Sequence, residues 1–301
     1  MNQTVLLVGA TGMFGSHVAR ELMRLPDTDV RLLLRPSEDG KKRDAIRVLM
    51  DGGAEVSEGD LADPAAVDRA TRGVDVIVSA VQGGPDVIVD GQVALAAAGK
   101  RNGARRILPS DYALDLFKAT PGEHMMFDLR RRADDAIEET GIEHVHVLQG
   151  AFMEMFAPGM GTFDYENATV TFYGDGTQVI DCTSVRSTAA MVARVAVDRS
   201  LSSGKFPFAG DRISILDATR VIEAQTGRMF ERRSKGTESD LRAAMREARD
   251  DPMAAVMLAY QLYMLNGQTA LSDLQNDRYP DVKLETFAEF AERALPRAAS
   301  P

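Results

Sequence analysis

Three glycines near the start of the chain stand where a backbone can hold a phosphate. They form the run Gly9-Ala10-Thr11-Gly12-Met13-Phe14-Gly15, spaced G-x-x-G-x-x-G. Each glycine has a physical task. Gly9 permits a tight exit from a strand, Gly12 lets the backbone approach a pyrophosphate, and Gly15 lets the next helix pack closely on the sheet. The first amides of that helix, together with its dipole, favour the anion. Thr11, Met13 and Phe14 line the same turn. At the end of the second strand, roughly 20 residues on, an NAD site places an acid that holds the ribose diol. This chain has Leu34-Arg35-Pro36 there. A guanidinium at that place binds a 2′-phosphate by paired hydrogen bonds, which points to NADP(H) rather than NAD(H). Lys41 and Lys42 lie a few residues further on and add positive charge.

These residues need a strand, a turn and a helix to place them, and the hydrophobic pattern supplies the units. Thr4 to Val8 reads as a strand ending in glycine, and Phe14, Val18, Leu22 and Leu25 recur at helical spacing. Further strands are predicted at Val30 to Leu34, Ala54 to Val56, Val74 to Ala80, Arg105 to Leu108 and His144 to Leu148. Helices are predicted between them. One opens at Asp63-Pro64 and runs to about Thr71, one covers Val87 to Ala98, and one covers Phe127 to Thr140 with Gly141 as its stop. Such alternation means parallel strands with crossover helices, hence an α/β Rossmann fold with a doubly wound sheet.

The second half has a different pattern. Ala168 to Tyr173 and Gln178 to Cys182 flank Gly174-Asp175-Gly176 and read as a hairpin. Helices then dominate, at Val185 to Asp198, Asp217 to Thr226, Glu238 to Arg249, Pro252 to Leu265 and Phe287 to Leu295. We therefore expect a Rossmann domain over 1–150 and a smaller, mostly helical substrate lobe over 151–301, with room for the chain to cross back.

Composition narrows the function. The 301 residues are 45% hydrophobic and 27% charged, which is ordinary globular composition. With 35 Lys and Arg against 45 Asp and Glu, the formal charge is −10. That argues against a general nucleic-acid binder, although it leaves room for a local basic pocket. No run approaches the ~18 apolar residues of a membrane span. The first residues carry no targeting signal, and the single Cys182 excludes an internal disulfide, so a cytoplasmic protein is expected. His144 and His146 alternate in a strand without an evident third ligand, so no metal site is expected.

The ordered set of motifs resembles the isoflavone-reductase-like branch of the NmrA-like family of atypical short-chain dehydrogenases. The resemblance rests on Gly9 to Gly15, Leu33 to Pro36, Gly59-Asp60-Leu61, Val78 to Gly83, Ile107 to Tyr112, Gly141-Ile142, Gly150-Ala151-Phe152, Tyr173 to Gly176 and the stretch from Ile213 to Gly227. It covers most of the chain. It implies a cofactor cleft lined by Thr11 to Phe14, Arg35, the turn Ala80-Val81-Gln82 and Ser110, with the nicotinamide near Phe152. Reductases of the family carry an acid/base lysine on the helix after strand five. Gapless alignment back from Gly141-Ile142 puts Arg130 at that place. Arginine cannot readily trade a proton near neutral pH, yet it can stabilise negative charge as hydride arrives. Arg131, Arg132, Asp134 and Asp135 follow, and a solvated, salt-bridged face is the simpler reading of that run. His124, just before the helix, is a candidate proton donor; Asp111 and Asp128 are candidate acids, with a helix cap the simpler reading of Asp128. Tyr112 stands near strand five, but no Tyr-x-x-x-Lys follows it. Met125, Met126, Met153, Met155 and Met160 fall where the resemblance puts substrate, and methionine adapts to flat apolar ligands.

Two functions are open at this point. One is an NADPH-dependent reductase acting on a small, apolar, aromatic or unsaturated substrate. The other is a non-catalytic NADP(H)-sensing regulator, which explains Arg130 without proton transfer.

Overall fold

The computed structural model describes residues 2–36 and 39–296. Strand and helix alternate through β1 (Gln3–Val8), α1 (Met13–Arg24), β2 (Thr28–Leu34), α2 (Gly40–Asp51), β3 (Glu55–Glu58), α3 (Pro64–Thr71) and β4 (Val76–Ser79). A π-helical turn (Asp86–Gly91) leads into α4 (Gln92–Arg101), followed by β5 (Arg106–Leu108), α5 (Met125–Glu139) and β6 (Glu143–Leu148). Then come β7 (Ala151–Phe152), β8 (Phe163–Asp164), β9 (Thr169–Phe172), β10 (Val179–Thr183), α6 (Val185–Val197), β11 (Gly204–Pro207) and β12 (Asp211–Ser214). The last elements are α7 (Ile215–Thr226), β13 (Glu231–Ser234), α8 (Glu238–Glu247), α9 (Pro252–Asn266) and α10 (Phe287–Ala294).

The chain divides into two compact units. The first holds Met1–Tyr112, Leu129–Val147 and Thr188–Phe206; the second holds Ala113–Asp128, Leu148–Ser187 and Pro207–Pro301. The first is built on a seven-stranded sheet of order β11-β6-β5-β4-β1-β2-β3. The pairs from β3 through β6 are parallel. Both faces of its centre are covered, so Leu6, Leu7, Ile77, Val78 and Ile107 are wholly buried, and the strands read as unbroken apolar runs. The strand order reverses between β1 and β4, which is where doubly wound folds bind ligands.

Local chemistry sets the helix ends. The Asp63 side chain accepts from Ala65 N at 2.9 Å, with Pro64 next in the chain, so α3 begins where the sequence predicts. Gly141 (φ 68°) and Gly227 (φ 67°) adopt the left-handed conformation that stops α5 and α7. Helix α2 has no counterpart in the sequence reading. Leu49 is its one buried residue, so it has no apolar stripe to detect.

Arg106 ties the returning segment onto the first unit. It is fully buried on β5 and is paired with Glu143. It also donates to the carbonyls of Val195 (3.1 Å), Asp198 (2.6 Å) and Leu201 (2.5 Å). These carbonyls lie at and just beyond the end of α6, and β11 follows them at the sheet edge. One guanidinium thus satisfies the loose end of a helix and a loop in a dry setting.

The second unit carries two three-stranded sheets, β12-β10-β7 and β13-β9-β8. The hairpin expected around Gly174-Asp175-Gly176 does not form. Both glycines take φ 76°, so the chain does turn, but it passes from one sheet to another. β9 pairs parallel with β13 and antiparallel with β8, while β10 pairs antiparallel with β12 and parallel with β7. Partners distant in sequence won over the local pairing that the turn chemistry suggested.

The Arg106 network yields a prediction. Arg106→Leu strands three carbonyls and leaves Glu143 only its 3.1 Å pairing with Arg105, and should cost about 3–5 kcal/mol in urea unfolding. Arg105→Leu, at the neighbouring half-buried arginine, should cost far less.

Candidate functional site

The glycine turn connects β1 to α1 beside the end of β4. Gly9 has φ 91°, and a Cβ there would sit 2.3 Å from the Ala80 carbonyl oxygen. A Cβ on Gly15 would lie 2.1 Å from the Gly9 oxygen. These two glycines are required by the protein's own backbone. Gly12 differs: its Cβ would meet nothing nearer than the Gly9 oxygen at 3.3 Å, and its φ of −76° suits any residue. It is exposed, like its neighbours Thr11 and Met13. Gly12 is also the N-cap of α1, where no side chain caps the helix and no acid stands in the first turn. A helix start with bare amides and no Cβ in front suits an anion. Phe14 packs from this turn onto Tyr112, ring centroids 4.5 Å apart. Burial holds the Tyr112 phenol well above its ordinary value, so it is no acid at neutral pH.

The other residues expected in the cleft fall into three groups. Ala80, Val81 and Ser110 join the glycine turn. Ala80 N donates to Val8 O at 2.8 Å, and Ser110 Oγ donates to Val81 O at 2.8 Å. Ser110 N in turn donates to the side-chain oxygen of buried Gln92 on α4, also at 2.8 Å. Gln82 is exposed at the end of the same turn. Arg35 leaves the end of β2, where Gly59 N donates to Leu34 O at 2.9 Å. Its Nε lies 3.7 Å from Asp60 Oδ2, with 77% of the arginine side chain exposed. An exposed ion pair this long contributes little, so it does not commit the guanidinium. Lys41 and Lys42 are exposed in the first turn of α2, which Asp39 caps by accepting from Lys41 N at 2.9 Å. They are helix residues rather than members of a loop. Phe152 lies in β7 of the second unit, paired with Thr183.

Arg130 is buried, at 7% exposure, and its Nε donates to the Ser110 carbonyl at 3.0 Å. The run from Arg130 to Asp135 is therefore not a single solvated face: Arg130 and Asp134 point inward, whereas Arg132 and Asp135 are exposed. Asp134 meets Asp111, just after β5, and His146 on β6. His146 Nδ1 is 2.8 Å from Asp111 Oδ2 and 3.6 Å from Asp134 Oδ1. The ligand-type atoms of the three lie within 4.8 Å of one another. The sequence reading found no partner set for the alternating histidines; the fold brings two carboxyl groups to one of them. Asp111 was expected only as a candidate acid, and Asp134 and Gln92 were not expected at the site. The only trace is the i, i+4 spacing of Arg130 and Asp134.

His124 and Asp128 lie in the second unit. His124 is not an exposed loop histidine: it is buried and opens α5, its carbonyl accepting from Phe127 N (2.9 Å) and Asp128 N (3.0 Å). Its ring stacks on Phe127 at 3.9 Å and meets Tyr260 edge-on at 4.3 Å. The Asp128 carboxylate accepts from Gly122 N at 3.1 and 3.2 Å, so it fixes the turn before the helix. Of the methionines, Met153 is wholly buried in the core of the unit, whereas Met125 and Met160 are about half exposed.

The sheet order and uncapped glycine turn define a dinucleotide-fold protein, and comparison with known proteins gives its family. The NmrA-like family model matches residues 1–291, so the chain belongs to the NmrA-like family. Among its relatives is the probable pinoresinol-lariciresinol reductase 3 of Arabidopsis thaliana, 24% identical over 307 residues and 97% of each chain. The solved structure of AtPrR2 with NADP+ and (+)pinoresinol matches with a TM-score of 0.83 at 24% identity, over 97% of this chain and 99% of that one. The leucoanthocyanidin reductase–NADPH complex from Vitis vinifera matches with a TM-score of 0.79 at 24% identity, over 95% and 97%.

The steric contrast within the glycine turn is testable. Gly15→Ala should lose about 2 kcal/mol or more in urea unfolding, because backbone must move. Gly12→Ala should unfold within about 1 kcal/mol of the parent. It should nevertheless weaken dinucleotide binding, measured by calorimetry, roughly tenfold or more.

Proposed function

We propose that this chain is an NADPH-dependent reductase that delivers hydride to a small, apolar, aromatic or otherwise unsaturated substrate. The observation that carries this reading is the bare start of α1 behind Gly12, with Arg35 at the end of the neighbouring strand. The reductases among its relatives support it. In this reading the parallel-sheet unit holds the cofactor and the second unit forms the substrate lobe. The amides after Gly12 hold the pyrophosphate. Arg35 takes the 2′-phosphate in place of its weak pairing with Asp60, and the exposed Lys41 and Lys42 add a favourable field. Met13, Phe14 and Gln82 complete the apolar and polar lining on this unit, and Phe152 belongs to the second unit. When bound, the cofactor supplies the hydride.

What remains for the protein is charge and orientation. Reduction of an unsaturated carbon leaves negative charge on a neighbouring atom, often oxygen. Arg130 is a permanent cation held by the Ser110 carbonyl, and a fixed charge in a dry setting stabilises developing charge without reorganising. It does so without giving up a proton, unlike the lysine of the resembling reductases. The half-exposed Met125 and Met160 and the aromatic group around Tyr260 suit a flat, apolar substrate. The lone, buried Cys182 suits a reducing cytoplasm.

Two measurements test this reading. NADPH should bind at least roughly tenfold more tightly than NADH, since a charged hydrogen bond is worth about 1.5–3 kcal/mol. Arg35→Ala should erase that difference; equal affinities in the parent would refute the cofactor assignment. Arg130→Ala should lower turnover roughly a hundredfold, as loss of one oxyanion-stabilising group does. Cofactor affinity should change much less, and unchanged turnover would remove Arg130 from the mechanism. A protein partner whose affinity follows NADP(H), with no turnover on any substrate, would favour the sensing function instead.

A further inference from the structure

The buried group under α5 raises a question of charge. Asp111 is wholly buried, and Asp134 and His146 nearly so. Asp111 Oδ1 and both oxygens of Asp134 have no hydrogen-bond partner among the described residues. The groups facing Asp134 come from three elements: Arg130, Arg131 and Asp135 on α5, Asp111 after β5, and His146 on β6. Three ligand-type atoms this close could suggest a metal ion. Arg130, however, lies on the same helix one turn away and acts electrostatically on Asp134, so the group already has a cation.

With Arg130 charged, three charge states of Asp111, Asp134, His146 and Arg130 sum to zero; the one that protonates Asp111 instead of Asp134 removes the charge from the carboxylate that His146 Nδ1 approaches at 2.8 Å, against 3.6 Å for Asp134, and two remain to compare. In one, all four are ionised. That leaves Asp134 a buried carboxylate with no donor on either oxygen, which is among the most costly arrangements a protein can hold. In the other, only Asp111 and Arg130 are charged. His146 then donates from Nδ1 to Asp111, and Asp134 is a neutral acid. The second state buries two charges fewer. It also gives Asp134 a donor, while Asp111 Oδ1 is a buried acceptor that lacks one.

We propose that Asp134 holds this group's proton at neutral pH and is a positioning residue: kept neutral, it does not itself draw on the charge of Arg130 one turn away. Once ionised, Asp134 attracts the guanidinium and competes with the negative charge that develops on the substrate. Burial first, and the Asp111 charge second, push the Asp134 carboxyl well above its ordinary value, in agreement with the geometry. The catalytic part rests on Arg130 being the charge-stabilising residue; the protonation itself does not.

The sign of the stability effect follows from linkage. An acid whose folded value is raised stabilises the fold fully below its unfolded value, near 3.9. That contribution is lost as pH rises toward the folded value, tenfold in the folding constant per pH unit for one proton. Urea unfolding of the whole chain and of Asp134→Asn, from pH 5 to 9, reads this without cofactor or substrate. The expected result is a variant whose stability relative to the parent increases with pH. A variant that is weaker at neutral pH and recovers in acid would overturn the proposal, because Asp134 would then be an ionised partner of Arg130. If the variant does not fold, a carbon-13 NMR titration of the parent's aspartate carboxyls decides the same point: Asp134 must still be protonated at pH 7, and an ordinary titration overturns the claim. For turnover, the parent should decline on the alkaline side, and Asp134→Asn should raise the ratio of turnover at pH 9 to that at pH 7 at least threefold. An identical decline would overturn the positioning role while leaving the reductase reading intact. Uptake of one zinc ion that raises the parent's thermal midpoint and not the variant's would also overturn it, since the resident cation would be a metal.

Discussion

The first unit depends on two backbone crossings that leave no space for a Cβ. Gly9 comes against the Ala80 carbonyl and Gly15 against the Gly9 carbonyl. These contacts let α1 start directly at the end of β1, beside β4, where the strand order reverses. A side chain at either glycine would push the helix away from the sheet and carry its amides with it. The proposed anion site is thus a consequence of close packing rather than a separate addition to the fold. Gly12 lies between them and is not required by the packing. A glycine that the protein's own atoms do not demand is best explained by a ligand.

Electrostatics works at two scales here. The chain carries a net charge of −10, yet its two candidate site arginines are local exceptions in opposite settings. Arg35 is exposed beside Asp60, where solvent weakens pairing and a phosphate can compete for it. Arg130 is buried, where each charge and each hydrogen bond counts for more. The same residue type therefore does different work in the two places. In the proposed function, one arginine selects a ligand and the other supplies a fixed field.

Much of this was legible in the sequence, and for identifiable reasons. The parallel strands appeared as apolar runs, and α3 and α7 announced themselves through Asp63-Pro64 and Gly227. The glycine spacing located the turn from β1 to α1, and Arg35 stands at the end of β2 as the pattern placed it. What escaped had no local signal. Helix α2 presents no apolar stripe, β11 takes the sheet edge after a segment whose carbonyls Arg106 gathers, and β9 and β10 found partners far away in sequence. The Asp111, Asp134 and His146 group combines residues from three elements, so no spacing within one of them reveals it. Arg130 was located by position in the chain, but its inward orientation was visible only once α5 was packed.

The proposed reaction is hydride delivery from NADPH to an aromatic or unsaturated substrate. It is tested most directly with NADPH carrying deuterium at the transferable position, incubated with the protein and a panel of aromatic ketones, enones, quinones and benzylic ethers. The account predicts that at least one product contains deuterium at the reduced carbon, delivered to a single face. Tight NADPH binding without deuterium transfer to any member of the panel would contradict it.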